Sequence, residues 1–243
     1  MSQATDQEPR QGLGRARGRL RCPACLMHET LCLCEALPRL STETRVEVWQ
    51  HALELERPTN TGRLLALILP SCRLRPFGGP RGAPPEVELD PERRTYLLFP
   101  APDAVVLTAE LAHQDPRPLT LVVPDGTWTQ AKRGVRTLQA GLPALRLPDG
   151  RPTQFALRSP RRDLDRLSTL EAVARALGII EGHPVEAALL AAQRLMVERT
   201  LFTRGELSAA EVTGGLDARG HAHALSAGRQ SRMPASRLAK NNG

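Results

Sequence analysis

The stretch from Leu119 to Arg133 constrains the fold most. Leu119 to Val123 is a run of Leu, Val and Thr bounded by Pro118 and Pro124, the composition of a central strand in a sheet covered on both faces. Asp125, Gly126, Thr127 and Trp128 follow at once. A carboxylate, a flexible glycine, a hydroxyl and a large aromatic therefore lie together beyond the carboxyl end of a strand, where open α/β sheets bind their ligands. Asp125 or Thr127 can equally serve as the cap of the helix that begins near Trp128.

That helix is predicted over residues 128–140, with Lys132, Arg133 and Arg136 on one side, either as a phosphate-facing stripe or as a solvated face. Before it, Thr44 to Gln50 alternates Val46 and Val48 with Arg45 and Glu47, a strand with one buried face. Leu64 to Leu69 reads as an apolar helix capped by Thr59, Asn60 or Thr61 and stopped by Pro70. The glycine at Gly62 lets free amides approach an anion, with Arg63 adding charge, while a plain cap is the other reading. Residues 71–94 are rich in Pro, Gly and Arg and read as loop, with Cys72 a bystander. Further short strands are expected at Thr95 to Phe99, Val105 to Thr108, Ala144 to Leu147 and Gln154 to Arg158.

Beyond these, Arg158, Arg161, Arg162 and Arg166 interleave with Asp163 and Asp165. Ser168 to Glu171 is a capping box opening a helix through Leu170, Val173, Ala174 and Leu177, with Gly178 as its stop. His183-Pro184 starts a long helix to about Thr203. Short apolar strands alternating with helices give an α/β protein with a mainly parallel sheet. No Gly-x-Gly-x-x-Gly follows a strand, which counts mildly against a dinucleotide-type site.

Cysteine usage adds a second feature. Four of the five cysteines, Cys22, Cys25, Cys32 and Cys34, fall within 13 positions. Four thiolates close a tetrahedral shell, so a structural zinc site is expected, with His28 inside the loop but not needed as a ligand. Nothing in the chain has the apolar length of a membrane span or the character of a signal peptide, and a cytoplasmic protein is expected.

Charge is unevenly placed. The net +7 resides in the ends, +3 in residues 1–21 and +4 in residues 216–243, while residues 22–215 balance 23 basic against 23 acidic groups. Residues 1–19 read as a disordered basic tail and residues 213–243 as a mobile one. Lys132 and Lys240 are the only lysines, so nearly every cation is a guanidinium suited to phosphate. Such ends fit a polyanionic partner, although they also fit simple soluble tails.

Asp125 to Trp128, with Gln130, Ala131, Lys132 and Arg133, resembles the signature of the DTW-domain family, the tRNA-uridine aminocarboxypropyltransferases. Three other stretches are similar in the same order: Cys22, Cys25, Cys32 and Cys34; His51 to Leu64 with Asn60-Thr61-Gly62-Arg63; and Leu157-Arg158 followed by Leu167 to Glu171. Pro124 and Phe155 depart from the pattern, which has another apolar residue and a tyrosine there.

The resemblance implies a SPOUT-like sheet with a C-terminal trefoil knot over residues 41–212, preceded by a small zinc-binding segment at 20–40. It implies S-adenosylmethionine as co-substrate and tRNA as partner, with transfer of the 3-amino-3-carboxypropyl group to N3 of a uridine. Asp125, Thr127 and Trp128 would be catalytic. Asn60, Thr61, Gly62, Arg63, Ser168 and Thr169 would bind the co-substrate. A SPOUT-type methyltransferase using the same co-substrate and a non-catalytic zinc-containing RNA-binding protein are the alternatives; the first would leave S-adenosylhomocysteine and the second would consume nothing.

Overall fold

The computed structural model describes residues 21–79, 89–138, 141–150, 152–157 and 166–216. The predicted tail at 1–19, the part of the predicted 213–243 tail from 217 onward, and the Arg158 to Asp165 charge cluster lie outside the described residues, while Thr213, expected in the mobile tail, is held by the Glu198 carboxylate of the last long helix.

Among the described residues, six strands form one sheet in which every pairing is parallel: β1 (Arg45–His51), β2 (Cys72–Phe77), β3 (Arg94–Leu98), β4 (Val105–Val106), β5 (Leu119–Asp125) and β6 (Ala144–Arg146), in the spatial order β2-β1-β5-β3-β6-β4. All seven residues of β5 are buried, as the unbroken apolar run requires of a central strand. Pro124 lies past Val122, the last residue of β5 paired with β3, so at that point β5 has only β1 beside it.

The two-residue period of the strands divides the core. Val46 and Val48 of β1 and Leu119, Leu121 and Val123 of β5 share one face with α1 (Thr61–Ile68), α4 (Thr169–Ile180) and α5 (His183–Thr203). Trp49, Leu97 and Val122 share the other face with Phe77 and with Val135 of α3 (Trp128–Leu138). A fifth helix, α2 (Ala109–His113), is capped by the Thr108 hydroxyl and adds Ala112 to the larger cluster.

Strand order places the ligand crevice. From β1 the chain passes through α1 outward to β2, and from the adjacent β5 it passes through α3 in the opposite direction to β6. Neighbouring parallel strands whose connections diverge leave an opening at their carboxyl ends. Gln50 and Asp125 stand side by side there in the β1–β5 register.

Several expectations are corrected. Residues 72–77 form a strand rather than loop, because Cys72 and Leu74 alternate with Arg73 and Arg75 along a sheet edge, and Arg75 reaches Glu47 of β1 at 3.7 Å. Charges and a proline suit an edge strand and hide it from a composition reading. Among residues 154–157 there is no strand, since Gln154 N–H is held by the Glu171 carboxylate at 2.6 Å instead.

Gly178 does not stop α4, which runs on to Ile180. It makes room for α5, since a Cβ at Gly178 would lie 2.9 Å from Cβ of Glu186. Alanine at 178 would gain about 1 kcal/mol of helix propensity, while overpacking costs typically 1–3 kcal/mol. Gly178→Ala is therefore expected to lower the unfolding temperature by a few degrees in a thermal melt; a rise would mean that α5 yields to the methyl group.

The N-terminal segment is not set apart from this core. Cys25, Met27 and Leu33 belong to the main cluster, and Leu31 packs with Phe202 and Val212. Among the described residues no helix is long and apolar enough to cross a membrane.

Candidate functional site

Asp125 ends β5 with its carboxylate almost wholly buried, at 4% exposure. Oδ2 accepts from Asn60 Nδ2 at 2.6 Å and from Gln50 Nε2 at 3.3 Å, and Oδ1 accepts from the Thr169 hydroxyl at 2.5 Å. Three neutral donors from β1, the start of α1 and the start of α4 thus converge on one carboxylate, which offers about four lone-pair positions in all. Burying a charge is tolerable only when it is so bonded.

Asn60 does two things at once. Its Oδ1 caps α1 by accepting from Arg63 N–H at 2.8 Å and also receives Gln50 Nε2 at 2.6 Å, while its amide nitrogen holds Asp125. Thr61 Oγ1 accepts from Leu170 N–H at 3.4 Å, joining α1 to α4. Gly62 brings the first turn of α1 against the carboxylate, for a Cβ there would sit 2.8 Å from Asp125 Oδ2. Only glycine permits that approach.

Gly126, at φ +157°, turns the chain into α3, and a Cβ on it would lie 2.9 Å from Gln130 Oε1. Thr127 and Gln130 cap α3 reciprocally: Thr127 N–H donates to Gln130 Oε1 at 2.7 Å and Gln130 N–H to Thr127 Oγ1 at 3.3 Å. Ser168 forms the anticipated capping box with Glu171, and its hydroxyl donates to Gln193 Oε1 at 2.5 Å. Glu171 in turn accepts from Thr153 Oγ1 at 2.6 Å, which fixes the chain entering the α4 region.

Beside this cluster, over the carboxyl ends of β3, β5 and β6, opens a cavity of about 560 Å³, the scale of a small-molecule site. Leu98, Phe99, Val123, Ala131, Leu145 and Leu147 give it apolar walls, and Trp128, Ser168 and Thr169 line it as well. Trp128 is flanked by the Phe99 ring at 5.6 Å and by the Arg166 guanidinium 5.5 Å above its own ring. Thr169 is the link between the two regions, since it lines the cavity and bonds Asp125.

Of the residues singled out in the sequence, Asp125, Asn60, Gly62 and Thr169 come together directly, with Thr61 one bond away. Trp128 and Ser168 stand on the cavity wall, and Thr127 at the cap of α3. Arg63 points elsewhere: its guanidinium donates to the carbonyls of Leu55 at 2.5 Å and Ala24 at 3.3 Å. Gln50 is the residue the sequence reading passed over. It occupies the buried face of β1 after Val46 and Val48, and a polar residue at the end of a buried alternation was the available signal.

The four cysteines form a second centre. Their sulfurs all lie within 4.8 Å of one another, with Cys22 to Cys34 at 3.7 Å and Cys25 to Cys32 at 3.8 Å. A tetrahedral thiolate shell with bonds of about 2.3 Å has edges of roughly 3.8 Å, so the residues fit a metal ion. Burial disfavours the Cys22 thiolate, but backbone donors at Cys25 and Ala24 and the thiols of Cys32 and Cys34 bring it down to about 7. Burial pushes Cys25 up. His28 caps its own turn through Thr30 and stays outside the shell. Arg199 donates to the Cys32 carbonyl, and Arg63 to that of Ala24, tying the centre to α5 and α1.

A parallel α/β sheet with a crevice at its diverging strands, a buried carboxylate beside an apolar cavity, and four cysteines packed against the same core define an α/β protein with a cavity of small-molecule size and an entry segment able to hold a metal ion. The DTW domain matches residues 19–201, and the chain belongs to that family. It is 30% identical over 179 residues to tRNA-uridine aminocarboxypropyltransferase 2 of Drosophila melanogaster, covering 68% of each chain. To the proteins of that name from Macaca fascicularis and Mus musculus it is 30% and 33% identical, the match covering 68% of this chain and 58% of each relative. The chain thus matches less than two thirds of the length of those two relatives. No solved structure matches it.

Proposed function

We propose that this DTW-domain protein is a tRNA-uridine aminocarboxypropyltransferase, moving the 3-amino-3-carboxypropyl group of S-adenosylmethionine to N3 of a uridine in tRNA. What carries the reading is the convergence of separate stretches of the chain: Asn60 and Gly62, Asp125, and Thr169 meet in one bonded cluster against a cavity of co-substrate size. The relatives' names supply the reaction class.

In this reading the N3 lone pair of the uracil attacks Cγ of the aminocarboxypropyl group and the Cγ–S bond breaks. Methylthioadenosine leaves with the bonding electron pair. The sulfonium already makes that carbon electrophilic, so the protein's share is alignment and removal of the N3 proton. Asp125 is too enclosed to meet the uracil itself and does not line the cavity. The Thr169 hydroxyl donates to Asp125 and keeps its oxygen as an acceptor on the cavity side of that bond. The N3 proton therefore passes to Thr169 Oγ1 as the Thr169 hydroxyl proton passes to Asp125, which is left as the carboxylic acid and returns the proton to solvent after transfer. Trp128 supplies the flat wall on which a base rests, and the uridine leaves its stack to reach it, which favours a loop nucleotide.

The fold reading accompanies this one: a SPOUT-like sheet with a trefoil knot in the C-terminal part. Supporting it are the late strands β5 and β6, each inserted between strands formed earlier, and the placement of α3 and α4 on opposite faces. The metal proposed for Cys22, Cys25, Cys32 and Cys34 is zinc, held structurally because four protein ligands leave no open position.

Nucleoside mass spectrometry of tRNA incubated with the protein and S-adenosylmethionine tests the reaction. The expected result is an aminocarboxypropyl-uridine with methylthioadenosine as by-product. Methylated nucleoside with S-adenosylhomocysteine would make the protein a methyltransferase instead, and tRNA binding without turnover of the co-substrate would make it a binding protein.

A further inference from the structure

Among the described residues, the charged side chains lining the cavity are Arg146, Asp149 and Arg175. Arg146 is the last residue of β6 and faces Asp149 at 3.9 Å. Arg175 lies on α4, where the Pro152 carbonyl takes one of its N–H donors at 3.1 Å. Thr169, Ala172 and Arg175 all line the cavity, and at intervals of three residues they form one stripe along α4. Thr169 and Arg175 are six positions apart, about 9 Å along the axis, and the long Arg175 side chain leans toward the N-terminus, which shortens the gap.

We infer that Arg146 and Arg175 grip the α-carboxylate, and Asp149 the α-ammonium, of the amino-acid end of the co-substrate. The inference rests on the functional reading above and deepens it. A carboxylate held by the two guanidiniums lowers the cost of placing a cationic sulfonium near them. The α-carboxylate is the anion that the co-substrate itself carries, and planar bidentate donors are the groups that hold carboxylates best. One carboxylate among two arginines complements the other pole of the zwitterion. The adenosyl part then falls to the apolar walls formed by Phe99, Leu145 and Leu147.

The arrangement decides which carbon reacts. With its carboxylate fixed at Arg175, the aminocarboxypropyl chain spans the distance to Thr169 and presents Cγ at the reacting end, while the methyl group is left against apolar wall. After transfer the amino-acid end belongs to the uridine. Methylthioadenosine keeps none of these contacts, and its release follows.

The test uses two nucleosides that differ in this end. S-adenosylhomocysteine carries it and methylthioadenosine lacks it. Calorimetric titration of each into the full-length wild type, Arg175→Gln and Arg146→Gln is compared, with thermal melts confirming that the variants fold. The expected result is a loss of S-adenosylhomocysteine affinity of about 10-fold or more in each variant, with methylthioadenosine affinity within twofold of wild type. Equal losses for both nucleosides, or none for either, would overturn the inference. Catalytic transfer by wild type beside undiminished S-adenosylhomocysteine affinity in both variants would overturn it while sparing the functional reading. Failure of the wild type to bind either nucleoside overturns both.

Discussion

Asp125→Asn is expected to fold, to bind S-adenosylmethionine nearly as wild type does, and to lose roughly 10²-fold or more in transfer, the usual scale for a group that acts on a reacting proton. The hydrogen-bonding pattern says why folding survives. Asn60 and Gln50 both present amide N–H groups to Oδ2, whereas Thr169 presents a hydroxyl to Oδ1. An asparagine turns its oxygen to the two amides and its NH2 to the hydroxyl, which rotates to accept.

These three bonds are kept, but the charge is gone and the Thr169 hydroxyl now accepts from residue 125 instead of donating to it. Its capacity to take up an N3 proton is lost with that reversal. Asp125→Ala is the contrasting case, because it leaves Asn60 Nδ2 buried without the acceptor it has in Asp125, at about 1–3 kcal/mol, and leaves Gln50 Nε2 with Asn60 Oδ1 alone, which destabilises the crevice itself. Single-turnover transfer measured beside thermal stability separates the two. Full activity in a well-folded Asp125→Asn protein would take Asp125 out of the mechanism, and Thr169→Val with full activity would remove the link through which it is argued to act.

What could be read from the sequence was what local physics writes locally. The buried strand at Leu119, the break at Gly126, the Ser168 to Glu171 capping box and the four-cysteine spacing each follow from residues within a turn or two of one another. Strand order did not, because β1 and β5 are brought together only by crossovers. The charged edge strand β2 hid behind Arg73, Arg75 and Pro76, although its alternation was present. Gly178 carried the composition of a stop, but its purpose is the approach of Glu186 from the next helix. Gln50 illustrates the limit best. One polar residue at the end of a strand has no meaning until Asn60 and Asp125 are placed beside it.

Removing the metal is expected to produce the largest loss of stability. One zinc per chain should be found by elemental analysis of the purified protein, and Cys22→Ser with Cys25→Ser should abolish it. The segment has few other resources. It is held in shape by short turns such as Leu26 N–H to the Cys22 carbonyl, with Leu26 itself at φ +60°, an unfavourable backbone for a residue with a side chain. Yet Met27, Leu31 and Leu33 from this segment are 3%, 0% and 0% exposed, so its collapse opens the core.

At a few kcal/mol of lost stability, and about 2–4 °C per kcal/mol for a chain of this size, the unfolding temperature should fall by roughly 10 °C. The damage should also reach the crevice. Ala24 holds Arg63, the Arg63 amide is capped by Asn60, and Asn60 holds Asp125, so a displaced Cys25 turn loosens the carboxylate clasp through three successive contacts. Arg63→Met, which cuts the first of these contacts but leaves the cysteines, should keep its zinc and lose part of the activity. Substoichiometric zinc in the wild type that does not fall further in the double serine variant would show that the four sulfurs hold no ion. Their spacing would then serve the packing of Met27 and Leu33 alone.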